Sequence, residues 1–220
     1  MKMMSKSLVA AAVLAATSTS AMAELSANAS LVSNYVFRGF SYSDEGPALQ
    51  GGLDYAHESG IYVGTWLSTI DNGVDSGFEY DYYLGFANQI NEFGYDLGYV
   101  VYSTNDDAKF GNDYREFYLK GSYNMFSLGY YNGDQKGVAD SDYTYLELGA
   151  DIEGVLPEDI TINLHYGIYD PDVVGASNVN DFSVGVSKNF SGFDVNLTYT
   201  SEDATDQDYV WLGVSKEFAL

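Results

Sequence analysis

The feature that most limits what this chain can become is a period of two. From residue 24 onward, apolar and polar side chains alternate in segment after segment. Phe78, Tyr80, Tyr82, Leu84 and Phe86 share one face against Glu79, Asp81, Tyr83 and Gly85 on the other. Ile160, Ile162, Leu164, Tyr166 and Ile168 oppose Thr161, Asn163, His165 and Gly167, and Phe193, Val195, Leu197 and Tyr199 oppose Asp194, Asn196 and Thr198. Such alternation marks strands with one greasy and one wet face. Nothing after Ala23 approaches the 18 apolar residues of a spanning helix.

Twelve such segments are predicted, over 25–38, 48–58, 60–69, 77–89, 94–104, 113–123, 125–132, 143–153, 159–169, 181–190, 192–201 and 208–219. In 60–69 the facing stays open, because Ile61, Val63 and Leu67 compete with Tyr62 and Trp66 for the apolar side. The connections set a rhythm. Short ones fall at 57–60, 91–94, 124–125, around Pro157 and at 191–192; longer, acidic ones fall at 41–47, 71–76, 105–113, 132–142, 170–181 and 202–208. Strands of about ten residues joined alternately by short turns and long loops are the pattern of an outer-membrane barrel. Pro47, Pro157 and Pro171 all sit at strand ends or in connections, where a missing N–H does least harm.

Met1 to Ala23 combines basic Lys2 and Lys6, an apolar core over 8–16 and a small-residue ending, Ala21-Met22-Ala23. This is the plan of a cleaved signal peptide. It predicts a mature domain over 24–220 and an exported chain with both ends on the periplasmic side. In lipid every backbone polar group must find a protein partner, so the sheet has to close. The expected fold is therefore all-β: a transmembrane antiparallel up-and-down β-barrel of about 12 strands in the outer membrane. The alternative is a soluble lipocalin-like barrel with the apolar face inward. The polar face argues for the membrane: it is rich in Gly, Ser, Thr and Asn, and 9 bases in 220 residues are few for a water-facing exterior.

Composition narrows the function. With 32 acids against 9 bases the net charge is −23, which repels nucleic acid, and the absence of cysteine excludes disulfides and thiolate metal sites. Only His57 and His165 offer an imidazole, and no Gly-x-Ser-x-Gly elbow occurs, so catalysis is not expected. No cofactor and no ordered metal-binding motif is read. The loop acids Asp44, Glu45, Asp106, Asp107, Asp140, Asp142, Asp203 and Asp206 are either solvated or bind divalent cations together with lipopolysaccharide. Outer-membrane lipid is the expected partner of the exterior: Tyr35, Phe37, Phe78, Tyr80, Tyr95, Phe126, Tyr130, Phe190 and Phe193 supply interfacial aromatics. Lys188 and Lys216 lie near periplasmic strand ends, where they can snorkel, and Arg115 near an outer end.

The runs Glu24-Leu25-Ser26-Ala27-Asn28, Ser33 to Gly39 (SNYVFRG), Pro47 to Gly52 (PALQGG), Asp54 to Gly60 (DYAHESG) and Tyr62 to Trp66 (YVGTW) resemble the TorF family of porin-like proteobacterial outer-membrane proteins. The resemblance is dense over 24–70 and thins to strand rhythm and size beyond. It implies an outer-membrane barrel and a channel, and brings no catalytic residues.

On the alternation, the bore is lined by Arg38, Asp54, Glu58, Glu79, Asp81, Asp96, Glu116, Lys120, Glu147, Asp151, His165 and Asp194. Nine acids against Arg38 and Lys120 focus a negative potential, which predicts passive diffusion of small cationic or neutral solutes. Arg38, with Glu79 and Asp81 available on another strand, is the candidate for an ion-pair constriction. Twelve strands lie between barrels that are filled and barrels that are open. Tyr83, Tyr102, Tyr118, Tyr131 and Tyr169 are also expected inside. A non-conducting envelope or loop-display barrel plugged by these rings is therefore the alternative function.

Overall fold

The computed structural model describes residues 23–71, 73, 76–105, 113–139, 141–173 and 175–220. Every regular element among them is a strand. In chain order these are β1 (Glu24–Val32), β2 (Val36–Phe37), β3 (Phe40–Ser41), β4 (Ala48–Ala56), β5 (Ile61–Asp71), β6 (Ser76–Ile90) and β7 (Phe93–Thr104). They continue as β8 (Tyr114–Tyr123), β9 (Phe126–Gln135), β10 (Tyr143–Ile152), β11 (Thr161–Pro171), β12 (Val179–Phe190), β13 (Phe193–Glu202) and β14 (Gln207–Ala219). Twelve of them form one closed antiparallel barrel, and β2 with β3 forms a separate small hairpin. Closure runs through β1, which pairs β4 on one side and β14 on the other. The register places Glu24 opposite Ala56 and Ser26 opposite Ala219, so both ends of the described barrel lie with the short turns. One of these turns, Ser191–Gly192, has positive φ at both residues (54° and 88°), the mirror-image turn whose twist suits a tight hairpin.

The two faces divide as the alternation requires. Leu31, Leu49, Val63, Leu84, Phe117, Leu119, Leu148, Val184, Leu197 and Val210 are exposed on the exterior, whereas Glu79, Asp81, Asp96, Glu116, Asp181, Ser183, Thr198 and Thr200 are buried within. A wet interior wrapped by an apolar exterior is unstable in water and suited to a bilayer. The lipocalin-like alternative, with its oily centre, is not the fold formed. In β5 the open question of facing is settled: Ile61, Val63 and Leu67 point out, while Tyr62 and Ser68 are buried inside with Trp66 half-buried beside them.

The main departure lies in the first predicted strand. It ends at Val32 rather than at residue 38, and residues 33–47 turn into the bore. Asn34 causes the break: its side-chain oxygen accepts from the Ser41 and Ser43 hydroxyls (2.6 and 3.1 Å), and Ser43 Oγ takes the Tyr35 amide (2.8 Å). These local bonds compete with the ladder and close a loop. Tyr35 and Phe37 therefore leave the predicted interfacial girdle. Tyr35 packs with Val32, Ala48, Ile70, Tyr209 and Trp211, with Phe37 against that cluster. The predicted signal segment lies outside the described residues but for Ala23, as do Asp106, Asp107 and Asp140.

Candidate functional site

The hairpin turns at Arg38 and Gly39, both at positive φ (48° and 87°), between the pair Phe37 and Phe40. Glycine in the second position suits a two-residue mirror-image turn, whereas Arg38 takes a positive φ that bulky residues rarely adopt. Position 39 admits only glycine for a second reason: a Cβ there would stand 2.6 Å from that of Glu202 and 2.9 Å from that of Asp181. The hairpin tip is thus seated against β12 and β13.

From this tip Arg38 reaches β8, which stands nearly opposite β1 around the ring. Its two terminal nitrogens donate to the two oxygens of Glu116, at 2.6 and 3.0 Å. The Tyr102 and Tyr143 hydroxyls donate to the same carboxylate, each at 2.8 Å. The guanidinium also lies over the rings of Tyr145 (4.1 Å), Tyr131 (4.8 Å) and Phe37 (4.8 Å). Glu116 is fully enclosed, with 0% exposure, yet it carries four donors, the condition under which a charge can be buried. Glu116, rather than the expected Glu79 or Asp81, is thus the partner of Arg38.

The tyrosines form a connected wall. The Tyr62 hydroxyl bonds Tyr118 and donates to Asp96 (2.6 Å), Tyr83 donates to Asp54, and Tyr131 donates to Glu147 (2.6 Å). Tyr145 donates to Asp181 (3.0 Å) and meets His165 Nε2 at 3.0 Å, while His165 also meets Asp181 (2.9 Å). Ring contacts run from Tyr118 to Tyr131 and on to Tyr145, at centroid distances of 6.0 and 5.8 Å. These rings approach the facing strands where glycine leaves room, Tyr62 over Gly85 and Tyr118 over Gly98.

Burial varies along the interior. At the long-loop end the inward residues Ala48, Ile70, Glu79, Tyr143, Asp181, Glu202 and Tyr209 are buried; toward the short-turn end Asp54, Lys120, Glu147, Asp151, His165, Asp194 and Asn196 are half-buried and Glu217 is exposed. The hairpin and the tyrosines fill the outer half, and the inner half has polar walls in which Asp96 and Thr161 are themselves enclosed.

Of the expected lining residues, Asp54, Glu79, Asp81, Asp96, Glu116, Lys120, Glu147, Asp151, His165 and Asp194 all face the bore from the wall, and Arg38 enters it from the hairpin. Glu58 does not: it sits exposed in the turn after β4. Asp151 accepts from Asn163 (2.8 Å), and Lys120 lies over the rings of Tyr118 and Tyr131. Two enclosed acids escaped the sequence reading, Asp181 and Glu202. Extending the parity of Ser183 and Gly185 backward, and of Thr198 and Thr200 forward, places both inside. On the exterior, Lys188 pairs with Glu158 (3.0 Å) and Arg115 with Asp134 (2.8 Å). His57 lies in a turn with its Nδ1 against Ser59 Oγ (2.9 Å).

A closed twelve-stranded barrel with a polar bore and an apolar exterior defines the class of transmembrane β-barrels. Residues 15–218 match the Gcw_chp family, bacterial proteins of unknown function, and the chain belongs to that family. The match does not carry the TorF name. A comparison with curated proteins finds no match. Among solved structures, the KdgM porin superposes with a TM-score of 0.60 at 12% identity, covering 89% of this chain and 99% of that one. The KdgM porin in complex with disordered oligogalacturonate gives 0.60 at 11% identity, over 90% and 99%. A chain from work on the in-meso crystallization of membrane proteins gives 0.58 at 12%, over 90% and 84%. At these identities the likeness establishes the fold, that of an outer-membrane barrel.

Proposed function

We propose that this protein is an outer-membrane porin-like channel for passive diffusion of small neutral or cationic solutes, with a periplasmic vestibule and an outer half closed by the hairpin. The observation that supports this reading is the hairpin itself. A separate element enters the barrel interior without belonging to its wall, anchored by Tyr35 and Phe37 on an apolar cluster and held at its tip by the single ion pair from Arg38 to Glu116. Moving residues 33–47 aside would cost the Ser43–Asp71 bridge and the packing of Tyr35 but none of the barrel's strand pairs.

The inward acids Asp54, Glu147, Asp151 and Asp194 face Lys120 as the cation of the vestibule wall. In a low-dielectric wall such an excess attracts cations and repels anions. A polyanion such as the oligogalacturonate named with KdgM is poorly suited to this bore. The second reading, a non-conducting envelope barrel, is favoured by the dense burial of the outer half, with Tyr145 at 1% exposure.

Reconstitution in planar bilayers separates the two. The channel reading expects single-channel steps and a reversal potential that favours potassium over chloride. Silent bilayers in both wild type and a variant lacking residues 35–42 would leave the non-conducting barrel.

A further inference from the structure

Beside the paired Glu116 stand two inward carboxylates with no basic partner among the described residues. Glu79 and Asp81 occupy successive inward positions of β6, about 7 Å apart along the strand, and are 7% and 6% exposed. Glu79 Oε2 and Asp81 Oδ1 are buried without a hydrogen-bond partner, and so is Thr104 Oγ1. The register sets Thr104 directly opposite Glu79, so their Cβ atoms lie about 5 Å apart. The surroundings supply acceptors and weak donors rather than charge compensation. Tyr35 lies beside Glu79, the Ser103 backbone lies beside Asp81, Ser68 is the inward neighbour of Glu79 on β5, and Glu116 is a further acidic neighbour of Asp81. Arg38 is committed to Glu116.

Enclosing even one carboxylate without a partner costs several kcal/mol. Two on one strand, with a third orphaned oxygen facing them, call for a positive charge of their own. Polar oxygens alone, two of them anionic, are the donor set of a hard cation. The local count agrees: Glu79, Asp81 and Glu116 against Arg38 leaves two negative charges.

We propose that Glu79, Asp81 and Thr104 hold a hard divalent cation of the Ca²⁺ or Mg²⁺ class inside the barrel wall, with water completing its coordination. Among the described residues no three acidic or imidazole side chains meet at one point. The site uses two carboxylates and a hydroxyl, a set that suits a hydrated ion rather than a fully caged one. The cation sits behind the base of the hairpin, where Tyr35 lies beside Glu79, and so braces the closed form. This holds whether or not the barrel conducts.

The test is thermal unfolding of the detergent-folded protein after chelation, with Ca²⁺ or Mg²⁺ titrated back. The wild type should show a saturable rise in melting temperature. Glu79→Gln with Asp81→Asn should melt higher than wild type in chelator, because two enclosed charges are gone, and should lose the cation response. Asp206→Asn, which alters a loop alone, should respond as wild type does. Thr104→Val should weaken the response without abolishing it. A wild type indifferent to both cations overturns the proposal. So does a response that survives in the Glu79/Asp81 variant, which would assign binding to the surface. Should the double variant not fold, Glu79→Gln alone gives the same reading through a weakened saturation.

Discussion

The Arg38 guanidinium, at the tip of the inner hairpin, and the Glu116 carboxylate, on barrel strand β8, are joined at both oxygens. The pair is the only ion pair that the hairpin makes with the wall among the described residues, and it fixes where the hairpin tip rests.

Arg38→Ala leaves Glu116 enclosed without its cation, a penalty of roughly 3–5 kcal/mol if nothing moves. The cheaper response is for the hairpin to leave and water to enter. Single-channel recording should show a larger or more frequent open state in Arg38→Ala than in wild type, and Glu116→Gln should shift it the same way by a smaller amount. Equal conductance in all three would remove the latch.

Gly39→Ala forces a side chain into positive φ and against the Cβ atoms of Glu202 and Asp181. Strain of this kind costs about 1–3 kcal/mol. Limited proteolysis of the folded barrel should then cut within 33–47, where the wild type resists.

Tyr145→Phe removes a hydroxyl that serves both Asp181 and His165. Hydrogen bonds to charged groups contribute about 1.5–3 kcal/mol, so unfolding in urea should begin at lower concentration. Tyr166→Phe is the control, since its hydroxyl lies exposed against Asn180; its midpoint should stay near wild type.

Vestibule acids and loop acids should differ in ion selectivity. Asp54→Asn with Asp194→Asn removes charge from the inner wall and should lower the preference for potassium over chloride. Asp206→Asn should leave the reversal potential nearly unchanged at 0.15 M salt, where exposed charges are screened within about 8 Å.

Asp203 lies in the loop after β13 and accepts from the Asn180 amide (2.7 Å) and side chain (2.6 Å). The Asn180 side chain, then its backbone N–H, hold the Asp203 carboxyl below the usual carboxylate range. A depressed folded-state value means the link is complete above the ordinary carboxylate range and is lost as pH falls through the lowered one. The Asn180 amide resonance should therefore hold steady through the pH where free carboxylates titrate, and shift only below it. A shift within the ordinary range would contradict the bond.

How much of this was legible depends on the range of the force involved. Alternation fixes which side chains share a face, because successive Cβ atoms must point oppositely along a strand; Asp54, Glu116 and His165 face the bore for that local reason. Strand number and loop rhythm follow from the same period, and closure follows from the bilayer, which tolerates no free edge. Parity carries no sign, so the segment 60–69, apolar on both faces, was undecided until Tyr62 met Asp96 and Tyr118 inside the barrel.

The hairpin was hidden for another reason. Residues 33–38 continue the alternation of β1, and only the competition of Asn34, Ser41 and Ser43 for backbone groups turns them inward. Which acid Arg38 finds is a matter of distance across a closed cylinder: Glu116 lies 78 positions away in the chain. The chain's own order determined the wall and the chemistry of each of its faces, since both arise between near neighbours. The contents of the bore, and the enclosure of two carboxylates with no counter-charge among the described residues, arose only when the wall closed around the hairpin.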